Sequence, residues 1–539
     1  MRIDRTWKVS EIFYCLFWII MIWAKGTGLY EGLRAYNICL ILALCCLTVK
    51  LLLTSYQIAD LLWTIPAGAL SIWIYLHSHD QSALLLAALA IGIKDVKLTR
   101  VFKIGLVMWS ACFVFSVFRT FSGGYTGPVL VHEKFGLGPI IRWSLGFTHP
   151  NVLHITYVVI AAMFLYCWNL KPGRRQWKIS LFLMLGNCYV FLYSISLTGF
   201  LLMILLLFFN MYLTDRKKVS WMEKLFLQCV LPFCIFFSLI LPVVVRKEGY
   251  FFALVNKVLN NRYLATRIYL TEMGISLFGE ELPHLYGFAV DCSYTEAILS
   301  YGLVAFIGIM VGYMLTIRDK IRNGKWQELA ILLSLLMAGV SEPFLFNASF
   351  KNIIILFVGE YLYISVFATK RTRNGFWSKE IRLASGLDCI ICLEHNEMSS
   401  LKMLLTKKWI KYKQFLYGIG ILGAAVCIVV ALIFVKRPDS IFIGVGSTDC
   451  GEQEERYLDM QNLPDEFNSE IYEYPGPEGA MYEFSGMITM VEYVRKIVSS
   501  GIWGMLGIVT LTMVLFSAYA WCRSGVRLEI YCRITKGKR

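Results

Sequence analysis

The chain has 539 residues, of which 57% are hydrophobic, 15% aromatic and 17% charged, with a formal net charge of +15. Soluble domains carry about a quarter charged residues, so this deficit excludes an ordinary soluble domain. The basic excess would suit a nucleic-acid partner, but its placement along the chain assigns it to membrane orientation instead, and no nucleic acid is expected.

At the start, Arg2, Arg5 and Lys8 precede an apolar run without a small-residue cleavage site, which predicts an uncleaved first helix entered from the cytoplasm. About fourteen apolar blocks are centred near residues 18, 45, 69, 88, 110, 161, 186, 205, 235, 307, 335, 361, 424 and 510, most long enough to cross a ~30 Å hydrocarbon layer at 1.5 Å per residue. The block near residue 88 is short. Stretches such as 153–170, 197–213 and 225–245 show no polar face at helical spacing, unlike the helices of a soluble core. With the N-terminus inside, segments 94–103, 171–178, 216–224, 318–325, 370–413 and 523–539 fall in the cytoplasm. By this count about 36 basic residues lie inside and about 16 outside, as the positive-inside rule requires. Both termini are therefore expected in the cytoplasm.

The fold class predicted is all-α, a polytopic transmembrane bundle of about 14 spans. Residues 1–370 hold twelve of them. Residues 371–411 form a basic cytoplasmic linker, and residues 412–539 a two-span hairpin around an acidic external segment, about 436–499, that includes Glu452, Glu454, Glu455, Asp465 and Glu466. No internal repeat is visible. Most of the 16 cysteines lie in spans, where they act as small apolar residues. Cys389 and Cys392 make one cytoplasmic CxxC with no second pair to complete a zinc site.

Charged residues on the external side are few, which makes each a candidate. The first long external connection ends in Arg142-Trp143-Ser144-Leu145-Gly146-Phe147-Thr148-His149-Pro150-Asn151. Pro150 suits the first position of a helix, whose positive end then faces outward beside Arg142 and favours an anion. The alternative is that His149 and Asn151 only shape the helix start while Arg142 snorkels to the interface. The second connection carries Arg262, Arg267, Glu272, Glu280, Glu281, His284 and Asp291. Its first part, with Leu254, Val255, Val258 and Leu259 at helical spacing, predicts a helix on the membrane surface. Ser293 and Glu296 have capping-box spacing and predict the start of the next span, which leaves Asp291 just outside it, as a site residue or a turn residue.

Taken in order, several short segments resemble the O-antigen polymerase and ligase superfamily (the Wzy and WaaL type), over residues 1–370. They are the Arg142-to-Asn151 segment, Ser196-Leu197-Thr198-Gly199-Phe200, Arg267 ahead of Leu277-Phe278-Gly279, Asp291-Cys292-Ser293-Tyr294 before Tyr301-Gly302, and Ser341-Glu342. Two positions depart from the family pattern: Leu197 stands where relatives often carry Arg, and Cys292 where they often carry Asn. The hairpin matches nothing in the polymerase core. It has the two-span layout of chain-length regulators with a much shorter external part.

The resemblance implies a GT-C-like bundle that transfers sugar on the external face of the bacterial cytoplasmic membrane, from an undecaprenyl pyrophosphate-linked glycan to a sugar acceptor. It implies no cofactor and no metal, and as partners a flippase and a chain-length regulator. No P-loop or dinucleotide fingerprint stands in the chain. A pyrophosphate leaving group must be charge-stabilised, and without metal arginine is the natural choice, because its planar fork grips phosphate oxygens in pairs. Arg142 and Arg267 are the candidates. The acceptor hydroxyl needs a base, for which His149 leads, followed by Asp291 and Glu342. Asn151, Arg262, His284, Tyr294 and Glu342 are candidate substrate contacts. The alternatives are a ligase that moves finished glycan to another acceptor, and a transporter or flippase of the same lipid-linked unit.

Overall fold

The computed structural model describes residues 6–121, 129–133, 139–168, 174–214, 216, 219–259, 261–283, 285, 289–366, 377, 379–381, 384, 390–394, 398–444, 472–476, 479–524 and 531–535. His284, Cys389 and most of the acidic segment, residues 445–471, lie outside them.

Every expected block centre falls within a helix. In chain order the bundle comprises β1 (Thr6–Lys8), α1 (Val9–Gly26), α2 (Arg34–Leu53), β2 (Tyr56–Gln57), α3 (Ile58–Ser78), α4 (Ser82–Gly92) and α5 (Leu98–Phe121). A hairpin of β3 (Val129–Glu133) and β4 (Pro139–Trp143) precedes α6 (Pro150–Trp168), α7 (Arg174–Ser194), α8 (Leu197–Thr214) and α9 (Trp221–Val244). There follow α10 (Tyr250–Val258), α11 (Arg262–Glu272), α12 (Ser293–Ser300), α13 (Gly302–Arg322), α14 (Trp326–Ala338) and α15 (Ile355–Tyr361), which runs on as a π-helical turn. The remainder holds β5 (Glu380–Ile381), β6 (Ile390–Glu394), α16 (Met398–Phe434), β7 (Ser440–Gly444), β8 (Tyr472–Gly476), β9 (Gly479–Ser485), α17 (Met487–Ser524) and β10 (Tyr531–Thr535).

Ten helices among the described residues are long and apolar enough to cross a membrane: α1, α2, α3, α5, α6, α8, α9, α13 and, in part, α16 and α17. The chain is a multi-pass helical membrane protein. Large apolar side chains stand outward on these helices, Val107, Phe226, Phe233 and Ile421 among them, as lipid rather than water would require. The other four expected spans differ for identifiable reasons. In α7, Arg174, Arg175 and Lys178 occupy the first two turns, while α4, α14 and α15 are short apolar helices enclosed by their neighbours. Leu329 to Leu333 of α14 are fully buried at the centre of the core, so a helix apolar all round reads as a span whether it meets lipid or protein.

Three boundaries shift. The surface helix of the second connection is two helices, α10 and α11, broken at Asn261 in the left-handed region (φ 63°) that Asn tolerates. The helix α16 starts at Met398, within the segment read as a linker, while its apolar span is Phe415–Phe434, and α17 starts at Met487, within the segment read as acidic. The Ser293 capping box does not form: Ser293 Oγ donates to Glu342 O (2.5 Å) and accepts from Leu345 N (3.2 Å). Tertiary bonds have outcompeted the local cap. Cys392 lies on β6.

Ion pairs buried at one end of the bundle join Lys94 to Asp60, Arg100 to Glu11, and Lys320 to Glu328 and Glu360. Such pairs are costly to remove from water and hold because each charge has its partner. At this end β6 pairs antiparallel with both β1 and β10. The hairpin helices α16 and α17 pack along a seam of small residues, Gly420, Gly423, Gly501 and Gly504.

Candidate functional site

At the opposite end, the residues singled out by sequence converge from four connections. Arg142 sits on β4, opposite Leu130 of β3. Its Nε donates to Ser194 O at the end of α7 (2.9 Å), and its second guanidinium nitrogen donates to Asn151 Oδ1 in the first turn of α6 (2.6 Å). Both partners are neutral. Arg142 is buried, and that burial pushes its pKa down to about 10; Glu342 acts against this and the like charge of Arg262 with it. Arg142 is thus a desolvated cation with no hydrogen-bonded carboxylate among the described residues to neutralise it, the state in which an anion gains most.

Arg262, in the first turn of α11, has the reverse condition. Its Nε donates to Asp291 Oδ2 (2.9 Å), and its Nη1 donates to Glu342 Oε1 (3.0 Å) and to Ser341 O. Burial would lower its pKa, but the two carboxylates outweigh burial and raise it. Glu342 Oε1 also accepts from Thr198 Oγ1 (2.6 Å) at the start of α8. Gly199 lets this helix start approach α6, since a Cβ there would stand 2.5 Å from the His154 ring. The His154 ring is itself satisfied between Ser194 Oγ and Asn187 Oδ1.

Arg142, Asn151, Thr198 and Arg262 line a cleft of about 710 Å³. Its wall continues along Leu201, Leu202 and Leu205 of α8 and Phe233 and Phe237 of α9. Leu201 and Phe233 are 51% and 61% exposed, so the groove opens sideways between two membrane helices. Leu197 and Lys257 flank it. Among the described residues the Lys257 ammonium has no ion-pair partner.

Three of the other candidates, His149, Arg267 and Tyr294, are not part of the cleft lining. His149 Nδ1 accepts from Asn151 N (3.0 Å), the part of a helix cap, so that nitrogen is not free to take a proton. Arg267 donates to Val245 O (2.6 Å) and Pro242 O (3.2 Å), which tethers α11 to the end of α9, and it does not line the cleft. Tyr294 is wholly buried and donates to Leu336 O (2.7 Å), leaving no surface for a ligand. Asp291 keeps about a third of its side chain exposed (35%) while bound to Arg262. Glu342 is buried.

Sequence reasoning passed over Lys257 and Lys351. Lys351 lies between α14 and α15, with Nζ 5.9 Å from the centroid of the Trp109 ring. Burial pushes its pKa down to about 7, with Glu342 opposing and Lys25 adding to the shift. A lone lysine in an apolar connection carries no spacing signal that would have found it. Compared with known proteins, the chain matches no family model and no curated sequence.

Proposed function

We propose that the protein is a membrane glycosyltransferase of the polysaccharide-polymerase type, acting on undecaprenyl pyrophosphate-linked repeat units at the external face of the bacterial cytoplasmic membrane. The observation that carries this reading is Arg142, a buried cation with neutral partners at the mouth of a lateral apolar groove. A polyprenyl chain enters between α8 and α9 from the bilayer, and its diphosphate meets Arg142, with Lys257 supplying the charge that Leu197 does not. Asn151 and Ser194 O fix the guanidinium. Arg262, neutralised by Asp291 and Glu342, holds those carboxylates at the rim beside the diphosphate.

The acceptor hydroxyl oxygen attacks the anomeric carbon on the face opposite the diphosphate. The carbon–oxygen bond to phosphate breaks, its electron pair leaves on the diphosphate, and the configuration inverts. Asp291, the more open carboxylate, takes the hydroxyl proton. Cations aimed at a leaving diphosphate act most strongly where water is excluded, as around Arg142. The GT-C-like bundle of about fourteen spans, with both termini in the cytoplasm, belongs to the same proposal.

The full chain reconstituted in liposomes with lipid-linked repeat units is expected to extend them. Arg142→Ala should reduce the rate on the order of 10²–10³-fold in the protein that remains folded. Arg267→Ala should instead cost about 1.5–3 kcal/mol of stability, as loss of charged hydrogen bonds does. Full-rate extension by Arg142→Ala removes this residue from the reaction. Transfer only to an unrelated acceptor indicates a ligase, and movement of substrate across the bilayer with no new bond indicates a transporter.

A further inference from the structure

The hairpin helix α17 reaches the candidate site from behind. Arg495, 1% exposed, lies in the angle between β4 and the end of α7. Its Nε donates to Leu192 O (2.7 Å), and one Nη donates to Ile141 O (2.8 Å) and Tyr193 O (3.5 Å). Its other Nη pairs with Glu492 on the same helix, and Glu492 Oε1 in turn accepts from Trp143 Nε1 (3.0 Å). Ser499, one turn further along α17, meets the hydroxyls of Tyr189 and Tyr193.

These bonds fall on the two segments that hold Arg142. Ile141 and Trp143 are its neighbours on β4, and Leu192 and Tyr193 directly precede Ser194, whose carbonyl accepts from Arg142 Nε. A planar guanidinium donating to both β4 and the end of α7 fixes their separation, and Arg142 spans the same gap one residue further along. A helix that served only as an anchor would have no need to bury an arginine against these carbonyls, because a buried charge is costly unless hydrogen bonds satisfy it.

We propose that the C-terminal hairpin is a positioning element of the transferase site. Arg495, balanced by Glu492, is a positioning residue that sets Arg142 against the donor diphosphate. The proposal rests on the polymerase reading. Misplacement of a binding group by about 1 Å costs on the order of a hundredfold in rate.

The test uses the full chain in nanodiscs, with Arg495→Ala, Glu492→Gln and, as a control on an exposed neighbour, Lys496→Ala. Amide hydrogen exchange over residues 139–143 and 192–196 reads the brace without any substrate. Binding of undecaprenyl pyrophosphate, and KM for donor and for acceptor, read its consequence. Arg495→Ala is expected to speed exchange in both segments and to weaken diphosphate binding and raise donor KM about tenfold or more, with acceptor KM unchanged. Methylguanidinium in solution should restore part of the loss, and Glu492→Gln should give a smaller effect in the same direction. Unchanged exchange in both variants overturns the brace. Faster exchange with diphosphate binding and donor KM equal to those of the unmodified chain overturns its link to Arg142. An unmodified chain that binds no undecaprenyl pyrophosphate overturns the polymerase reading and with it the positioning role, while exchange still reports whether α17 holds β4.

Discussion

Lys351 is a buried lysine in the connection between α14 and α15, outside the cleft lining. Its folded-state pKa of about 7 lies below the ordinary value of 10.5 because burial disfavours the charged form. Between those values the unfolded chain binds more protons than the folded one, so stability rises with pH across that window. Below pH 7 both states are charged and the folded state bears the whole desolvation cost; above about 10.5 both are neutral and the cost vanishes. Lys351→Met should therefore stabilise the protein by a few kcal/mol near pH 6, on the order set by the pKa shift. The gain should shrink toward zero by about pH 10.5, as followed by thermal unfolding in detergent across pH. A gain independent of pH would mean that packing, and not charge, is the cause. At this scale the sequence was informative about identity and weak about direction. The Arg142-to-Asn151 segment supplied two residues of the cleft, but Arg262 and Arg267 were not separable by spacing alone. Five residues apart on α11 places them about 140° apart around its axis, so one faces the carboxylates while the other turns to the carbonyls of Pro242 and Val245. Only the packing of the helix decides which is which.

The elements meet at a few backbone junctions, and one of them explains two motifs together. Gly279 (φ 84°) and Gly302 (φ 78°) both lie in the left-handed region and cross face to face. A Cβ on Gly302 would stand 2.3 Å from Gly279 N, and one on Gly279 would stand 2.0 Å from Ser300 O. Backbone bonds seal the crossing, from Leu303 N to Ser276 O (2.9 Å) and from Glu280 N to Leu299 O (3.0 Å). The Leu-Phe-Gly and Tyr-Gly segments are thus the two halves of one joint that fixes the start of α13, and neither contributes to the cleft. Gly302→Ala should cost about 3 kcal/mol or more, since it adds backbone strain to a clash that no side-chain movement relieves. Gly308, on the same helix with nothing within 4 Å of its Cβ position, is the internal control. Gly308→Ala should be neutral or stabilising by about 0.5–1 kcal/mol. Equal unfolding midpoints for the two variants would show that the joint tolerates separation. The order of these motifs was legible; that they pair with each other was not, because a backbone contact between distant glycines leaves no periodicity in the chain. The same holds for the hairpin, where the bond from Arg495 to Ile141 joins positions 354 residues apart.

Across the whole molecule, contacts between connections support a topology that helix length alone does not. Counting only the ten long helices, the connection holding Arg262 follows seven crossings and that holding Glu342 follows eight, yet the two side chains are 3.0 Å apart. The contact is reconciled if the short helix α14 also passes from one end of the bundle to the other. By the same reasoning Lys94, after α4, accepts through its carbonyl from Lys50 Nζ near the end of α2 (2.9 Å), which supports a traverse by α4. Arg142 bonded to Ser194 O supports a traverse by α7, and β1 paired with β6 then calls for one by α15. A helix of 13 residues such as α14 rises only about 20 Å. The remaining depth falls to the buried connection around Phe344 and Leu345, irregular backbone of the kind a membrane tolerates when protein encloses it. All fourteen helices crossing would put β1, β6 and β10 on one side and the Arg142 site on the other, and under the positive-inside rule the basic loops would make the first side the cytoplasm. Reporter fusions check this directly. A reporter fluorescent only in the cytoplasm should be active at either terminus, and a phosphatase active only outside should work when fused after Gly444, at the end of β7. Fluorescence after Gly444 together with phosphatase activity at both termini would, with all fourteen helices crossing, place Arg142 on the cytoplasmic side and overturn the proposed external reaction along with the topology.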